Sequence, residues 1–330
     1  MRVGTGAFAI ACAAVVATLP GVARATDCTG PVSPCVNDDT LWPHPGTSYF
    51  QAVGGSDTVG ASQLGFALLV SYLSRPIVLA LTSPGGGSQA YAVNDQANGT
   101  FMWSYGVGRR LELDLALPLT FGQGGTGLAP VSGGAGLNDT AVRDMRFGLT
   151  YALVQKVHGA LPAAENTWGL AARFDVSAPT GDRDQFAGER SGVFVPSVAA
   201  DGKLGRFFGA VEAGARIRPI TDLLGARIGS QLLGGLGVGV NLLADERLSG
   251  ALEAWALPTL VAQSNGATLI PAEWQLSLRT SPLASRELAV QLGGGGALDD
   301  SLTTPRLRFT LCVRWTPSGH AAAHLDTPPP

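Results

Sequence analysis

From Arg306 to Trp315 the chain alternates strictly in polarity. Leu307, Phe309, Leu311, Val313 and Trp315 fall on one face of an extended strand; Arg306, Arg308, Thr310, Cys312 and Arg314 fall on the other, because successive side chains point to opposite sides. A soluble sheet can also be apolar on one side only. Here the polar face is rich in arginine and the apolar face ends on an aromatic ring. Such a strand suits the wall of a membrane-spanning barrel, with its apolar face toward lipid and its polar face toward the lumen.

The same period of two recurs upstream. Leu111, Leu113, Leu115, Leu117 and Leu119 oppose Arg110, Glu112 and Asp114; Met145, Phe147, Leu149, Tyr151 and Leu153 oppose Asp144, Arg146 and Thr150. Trp168, Leu170, Phe174 and Val176 oppose Arg173 and Asp175, and Trp274, Leu276 and Leu278 oppose Glu273, Gln275 and Arg279. The longest apolar region, 228–244, carries glycines in Gly-x-Gly spacing, which weakens a helix and keeps a strand period. Without a spanning helix, only a closed barrel satisfies the backbone in hydrocarbon.

Composition points the same way. Charged residues make up 14% of the 330, against roughly 25% in soluble domains. A net charge of −3 gives no basic surface for nucleic acid. Arg2, an apolar stretch from Ala7 to Leu19 and Ala23-Arg24-Ala25 read as a secretory signal over residues 1–25. Export favours a disulfide between Cys28 and Cys35, which flank a short Gly/Pro-bearing loop; two free thiols are the alternative. Cys312 reads as a small packing residue.

Twelve strands are expected, at about 62–82, 98–107, 109–121, 143–154, 167–177, 193–201, 205–218, 225–242, 247–260, 272–281, 286–296 and 306–315. Tight links alternate with longer ones, 155–166 being the exception, as outer loops and periplasmic turns do in such barrels. Pro76, Pro118 and Pro196 fall inside proposed strands, where they suit ends or bulges. The expected fold class is all-β, a transmembrane antiparallel β-barrel of about twelve strands over residues 61–315. Residues 26–60 are expected as a periplasmic N-terminal segment and 316–330 as a disordered tail.

Candidate chemistry is sparse. Gly122-Gln-Gly124-Gly-Thr-Gly127 matches a dinucleotide fingerprint, but the prolines and glycines that follow leave no helix to hold a pyrophosphate. None of the four histidines pairs with Ser, Asp or Cys in a recognisable spacing, so no catalytic residue, metal or cofactor is expected. Asn37-Asp38-Asp39 and Asp299-Asp300 read as solvated acidic turns. The informative set lies on the polar faces. Glu112, Asp114, Asp144, Arg146, Arg173, Asp175, Glu253, Arg279, Arg306, Arg308 and Arg314 are the lumen-lining candidates, with Glu212, Arg216, Arg227 and Glu273 beside them. Both signs are present, so the set reads either as an ion-pair network filling a narrow barrel or as a polar passage biased by the terminal arginines.

Several stretches carry a family resemblance: Asn37-Asp-Asp-Thr-Leu-Trp-Pro-His44, Ser71-Tyr-Leu-Ser-Arg-Pro76, Ala92-Val-Asn-Asp-Gln96, Arg110 to Phe121, Ser177-Ala-Pro-Thr-Gly-Asp182 with Gly188-Glu-Arg190, and Thr304 to Trp315. They resemble the barrels that precede a peptidoglycan-binding module in myxobacterial-type OmpA-family proteins, and the outer-membrane transporters linked to aromatic-compound degradation. The resemblance implies an outer-membrane barrel and no particular substrate. Only a Pro/Ala/His tail follows Trp315, so a cell-wall tether is not expected. The expectation is a non-enzymatic, porin-like or transporter-like passage for small solutes, with outer-membrane lipid and the barrel-assembly machinery as partners. Phe309 and Trp315 are the expected assembly signal. A non-conducting structural or surface-display barrel, whose loops 122–142 and 178–192 meet partners, is the alternative; a secreted soluble β-sandwich is the third reading.

Overall fold

The computed structural model describes residues 28–46, 48–81, 88–133, 136–155, 166–263, 268–283 and 287–316. Twelve long strands form its wall: β1 Leu64–Leu81, β2 Ser88–Gly106, β3 Leu111–Gly124, β4 Arg146–Val154, β5 Asn166–Ser177, β6 Val193–Leu204, β7 Phe207–Arg216, β8 Gln231–Asn241, β9 Leu248–Ala256, β10 Ala272–Thr280, β11 Leu288–Ala297 and β12 Leu307–Trp315. Each pairs antiparallel with its neighbours in sequence. β12 returns to β1, Phe66 facing Trp315 and Ser74 facing Leu307, so the sheet closes. Closure removes the exposed edges that an open sheet of these sequences would carry.

Alternation sorts the side chains. Every strand places large apolar residues outside, including Leu113, Phe147, Phe174, Leu236, Leu276 and Phe309, while Glu112, Arg173, Glu253, Gln275 and Arg308 are buried within. At one mouth the links are short. Gly205, left-handed at φ 57°, lets two residues join β6 to β7. At the other mouth lie the described parts of the long connections 125–145, 178–192, 217–230, 257–271 and 298–306. There Ile77, Leu79, Ala90, Ala92, Val93, Phe186 and Leu223 form an apolar core, with Leu128, Val131, Leu137 and Leu302 packed against it.

Several expectations are corrected here. The stretch 83–97, expected as a loop, is largely strand: β2 begins at Ser88, and its polar residues Asn94 to Gln96 mask the alternation in the sequence. The single strand expected over 225–242 is two features. A short hairpin pairs Thr221–Leu223 with Ala226–Ile228, turning at Leu224 and Gly225 with φ of 55° and 85°, and the wall strand starts only at Gln231. After Gly124 the chain makes one helical turn, Ala129–Ser132, where no helix was expected. Pro76 sits at a bulge, between register shifts at Ser74 and Ile77. Pro118 and Pro196 lie just beyond the ends of the β3–β4 and β6–β7 ladders, where a missing N–H is tolerated, and the Pro118 carbonyl accepts from Arg143 N–H.

The largest correction concerns the N-terminal stretch. The described residues of 26–60, expected as a periplasmic segment, run through the barrel interior. Cys28 and Cys35 are disulfide-bonded at the loop mouth, where Val32 bridges to Leu223 and Leu224 N–H donates to the Pro31 carbonyl. The segment leaves at the turn mouth, where Ser62 N–H donates to the Gly106 carbonyl before β1 begins. The signal (1–25), most of the 155–166 link and the tail beyond Thr316 lie outside the described residues.

Candidate functional site

The site is the lumen together with the segment it encloses. Asp38 and Asp39, read from sequence together with Asn37 as a solvated turn, are the segment's main charged contacts. Asp38 accepts from Arg143 Nη2 at 2.7 Å and from Gln96 Nε2 at 2.8 Å. Asp39 accepts from Arg308 Nη1 at 2.9 Å and from Asn98 Nδ2 at 2.9 Å. Arg308, fully buried, also forks onto Glu273 on β10, with Nε at 2.8 Å and Nη2 at 3.1 Å, and Glu273 accepts from Thr40 Oγ1. A buried guanidinium is tolerable only with such complete pairing.

Backbone groups of the segment need partners too, because it forms no sheet with the wall. Glu253 on β9 takes the N–H groups of Gln51, Ala52 and Val53, at 2.9, 2.7 and 3.3 Å to its Oε2. Glu212 on β7 takes Gly54 N–H at 2.7 Å, Ser197 Oγ at 2.7 Å and His44 Nε2 at 3.2 Å. Arg173 Nη2 donates to His44 Nδ1 at 2.9 Å, which leaves Nε2 as the protonated nitrogen facing Glu212. Near the turn mouth, Asp201 accepts from Ser56 N–H at 2.8 Å, and Glu112 accepts from Val59 N–H.

Packing completes the fit. Leu41 joins Leu69, Met102, Trp255 and Cys312. Phe50 and Val53 pack against Phe208, Ala210 and Ala251. Missing side chains on the inner face of β8 make the room: a Cβ at Gly237 would stand 2.6 Å from the Phe50 ring, and one at Gly235 3.2 Å from Val53. The period-two glycines therefore leave space for a guest.

The arginines fall into two groups. Arg143 and Arg308 are matched to carboxylates, as is Arg218 to Glu189. Arg146, Arg216, Arg279 and Arg314 instead lean on neutral groups of the segment. Arg146 and Arg216 lie 5.1 and 4.8 Å from the Trp42 ring centre, Arg279 lies 4.6 Å from that of Tyr49, and Arg314 donates to the carbonyls of Ser48 and Phe50.

Of the sequence candidates, Glu112, Asp114, Arg146, Arg173, Glu253, Arg308 and Arg314 are buried on inner faces, with Asp175 and Arg279 partly exposed there. Asp144 is buried before β4 and accepts the N–H groups of Gly181 and Glu189, fastening the 178–192 loop; burial pushes its carboxyl up to about 6. Arg306 is exposed and precedes β12, and Arg227 belongs to the loop-mouth hairpin rather than the wall. Phe309 and Trp315 face outward, and Trp315 stacks on Phe66 across the closing seam at 5.7 Å. Cys312 is buried and unpaired. Sequence reasoning missed Asp38, Asp39, Trp42, His44, Phe50 and Arg143. Among the described residues no group of three or more His, Cys, Asp or Glu is placed to hold a metal.

No family model and no curated protein matches the chain. Among solved structures it is similar to the COG4313 outer membrane channel from Pseudomonas putida F1, at 16% identity and a TM-score of 0.54 over 79% of this chain and 97% of that one. The NanC porin matches at 8% identity and a TM-score of 0.45, over 77% and 99% of the two chains. OprD from Pseudomonas aeruginosa matches at 10% and 0.36, over 80% and 96%. These three are an outer-membrane channel, a porin and an outer-membrane protein, and they do not show the OmpA-type part of the resemblance. The chain is a closed, twelve-stranded antiparallel barrel with the fold of that outer-membrane channel.

Proposed function

We propose that this protein is a porin-like passage for small solutes in an outer membrane, narrowed by its own segment 28–60. One observation carries the reading: a closed barrel with large apolar residues outside every strand and charged residues buried inside. Water-soluble monomers rarely expose apolar patches beyond a few hundred Å². Lipid is the solvent that accepts this wall, and a polar interior gives water-soluble solutes a route across it. Deleting residues 37–54 is expected to raise single-channel conductance severalfold over the full chain in planar bilayers. Absence of conductance in both proteins would favour the alternative of a non-conducting structural barrel, which the occupied lumen also supports.

We further propose that β12 is what the barrel-assembly machinery reads. Its outward residues Phe309 and Trp315 lie at the seam that closes the wall. Replacing both by aspartate should abolish the heat-modifiable folded band in cells, while refolding into lipid vesicles is only impaired. Normal assembly of that variant in cells would remove the role from these residues.

A further inference from the structure

Trp42 stands between two small cavities in the lumen. One, of about 20 Å³, is lined by Trp42, His44, Asp114, Arg146 and Asp175. The other, of about 10 Å³, is lined by Trp42, Asp39, Glu189, Arg216 and Arg218 among others. Each has room for about one water molecule. On the opposite side of the segment, Leu41 is sealed into an apolar cluster. The open space inside this region therefore lies along the Trp42 side, and it is polar toward Arg216.

The cations at that point are incompletely satisfied. Arg146 and Arg216 are 8% and 6% exposed, and the Nε of each has no hydrogen-bond partner. Neither makes an ion pair among the described residues. Arg216 has the Thr40 carbonyl at 2.7 Å and the indole face; Arg146 has the indole face. Carboxylates nearby have other donors: Asp39 is held by Arg308 and Glu189 by Arg218. Asp114 and Asp175 share the cavity with Arg146, but Arg173 also lies within their electrostatic reach. A buried guanidinium served by a carbonyl dipole and an aromatic ring is a weaker arrangement than one served by a carboxylate, whose two oxygens match the guanidinium fork.

We infer that the route through the barrel runs along the Trp42 side of the segment, and that Arg146 and Arg216 form an anion-binding constriction there. Trp42 fills this site in the closed form, and a small carboxylate occupies it when the indole is withdrawn. The inference deepens the passage reading by assigning its narrowest point and the sign of charge it favours.

The test uses the full-length protein with Trp42→Ala, alone and combined with Arg146→Gln and Arg216→Gln. In planar bilayers under a potassium acetate gradient, Trp42→Ala should conduct severalfold better than the parent and favour acetate over potassium. Adding both glutamines should bring the reversal potential close to zero. A cation-selective Trp42→Ala channel, or a reversal potential indifferent to the two arginines, overturns the inference. Thermal unfolding in detergent, with sodium acetate titrated at constant ionic strength, separates the site from the passage. Acetate should stabilise Trp42→Ala at concentrations about tenfold lower than it does the triple variant, as expected when charged hydrogen bonds are lost. That stabilisation without conductance would refute the passage and keep the site; equal stabilisation of both proteins would refute the site.

Discussion

Replacing Arg308 by methionine is expected to lower the unfolding free energy of the barrel by about 3–5 kcal/mol, because it strands buried carboxylates. Glu273 loses both arms of the guanidinium fork, and Asp39 loses its 2.9 Å partner. Glu273 is itself 1% exposed, so water has little access to take the place of the fork. Lysine at 308 restores the charge without the fork and should recover only part of the loss. Combining Arg308→Met with Glu273→Gln should also recover part, leaving Asp39 as the remaining uncompensated acid. Urea unfolding in detergent micelles, followed by tryptophan fluorescence, measures all three. A loss below about 1 kcal/mol would mean that the trio behaves like a solvent-exposed pair.

Gly237→Leu is expected to push the enclosed segment out of place and open the lumen. Even the first added carbon would meet the Phe50 ring at 2.6 Å, and that ring is already wedged against Phe208 at 5.5 Å between centroids. Overpacking of this kind costs about 1–3 kcal/mol, and moving the segment relieves it more easily than bending a hydrogen-bonded wall. The expected results are a severalfold rise in conductance and faster protease cleavage between residues 45 and 55. Phe50→Ala in the same chain removes the clash and should return protease resistance toward that of the parent. A protected segment in Gly237→Leu would show that Phe50 is not held against β8.

The wall was legible in the sequence because one physical rule, alternation between lipid and lumen, acts on every strand. Segments such as 111–119 and 307–315 state it without interruption. Where another demand intruded the reading failed. At 88–97 the polar run Asn94-Asp95-Gln96 resembled a loop because Gln96 and Asn98 serve the enclosed segment, donating to Asp38 and Asp39. The enclosed segment was illegible for a related reason. It follows no period, since its partners are set by distance across the barrel: Asp39 meets Arg308, 269 residues away. Two signals for it existed. Gly235 and Gly237 empty one inner face of β8, and the polar faces of the other strands carry long side chains that a lumen of unfilled space would not require. Together they mark an interior fitted around something else.

The path of residues 28–60 also bears on the order of events in folding. The disulfide loop of Cys28 and Cys35 lies at one mouth, β1 starts from the other, and the wall is sealed by β1 meeting β12. Once that seam has formed, placing the segment would require drawing a cross-linked loop lengthwise through a finished tube. Enclosing it while the seam is still open requires no such passage. The first described residues and the last strand are thus coupled in time: the segment must be seated before the chain's final strand finds its partner.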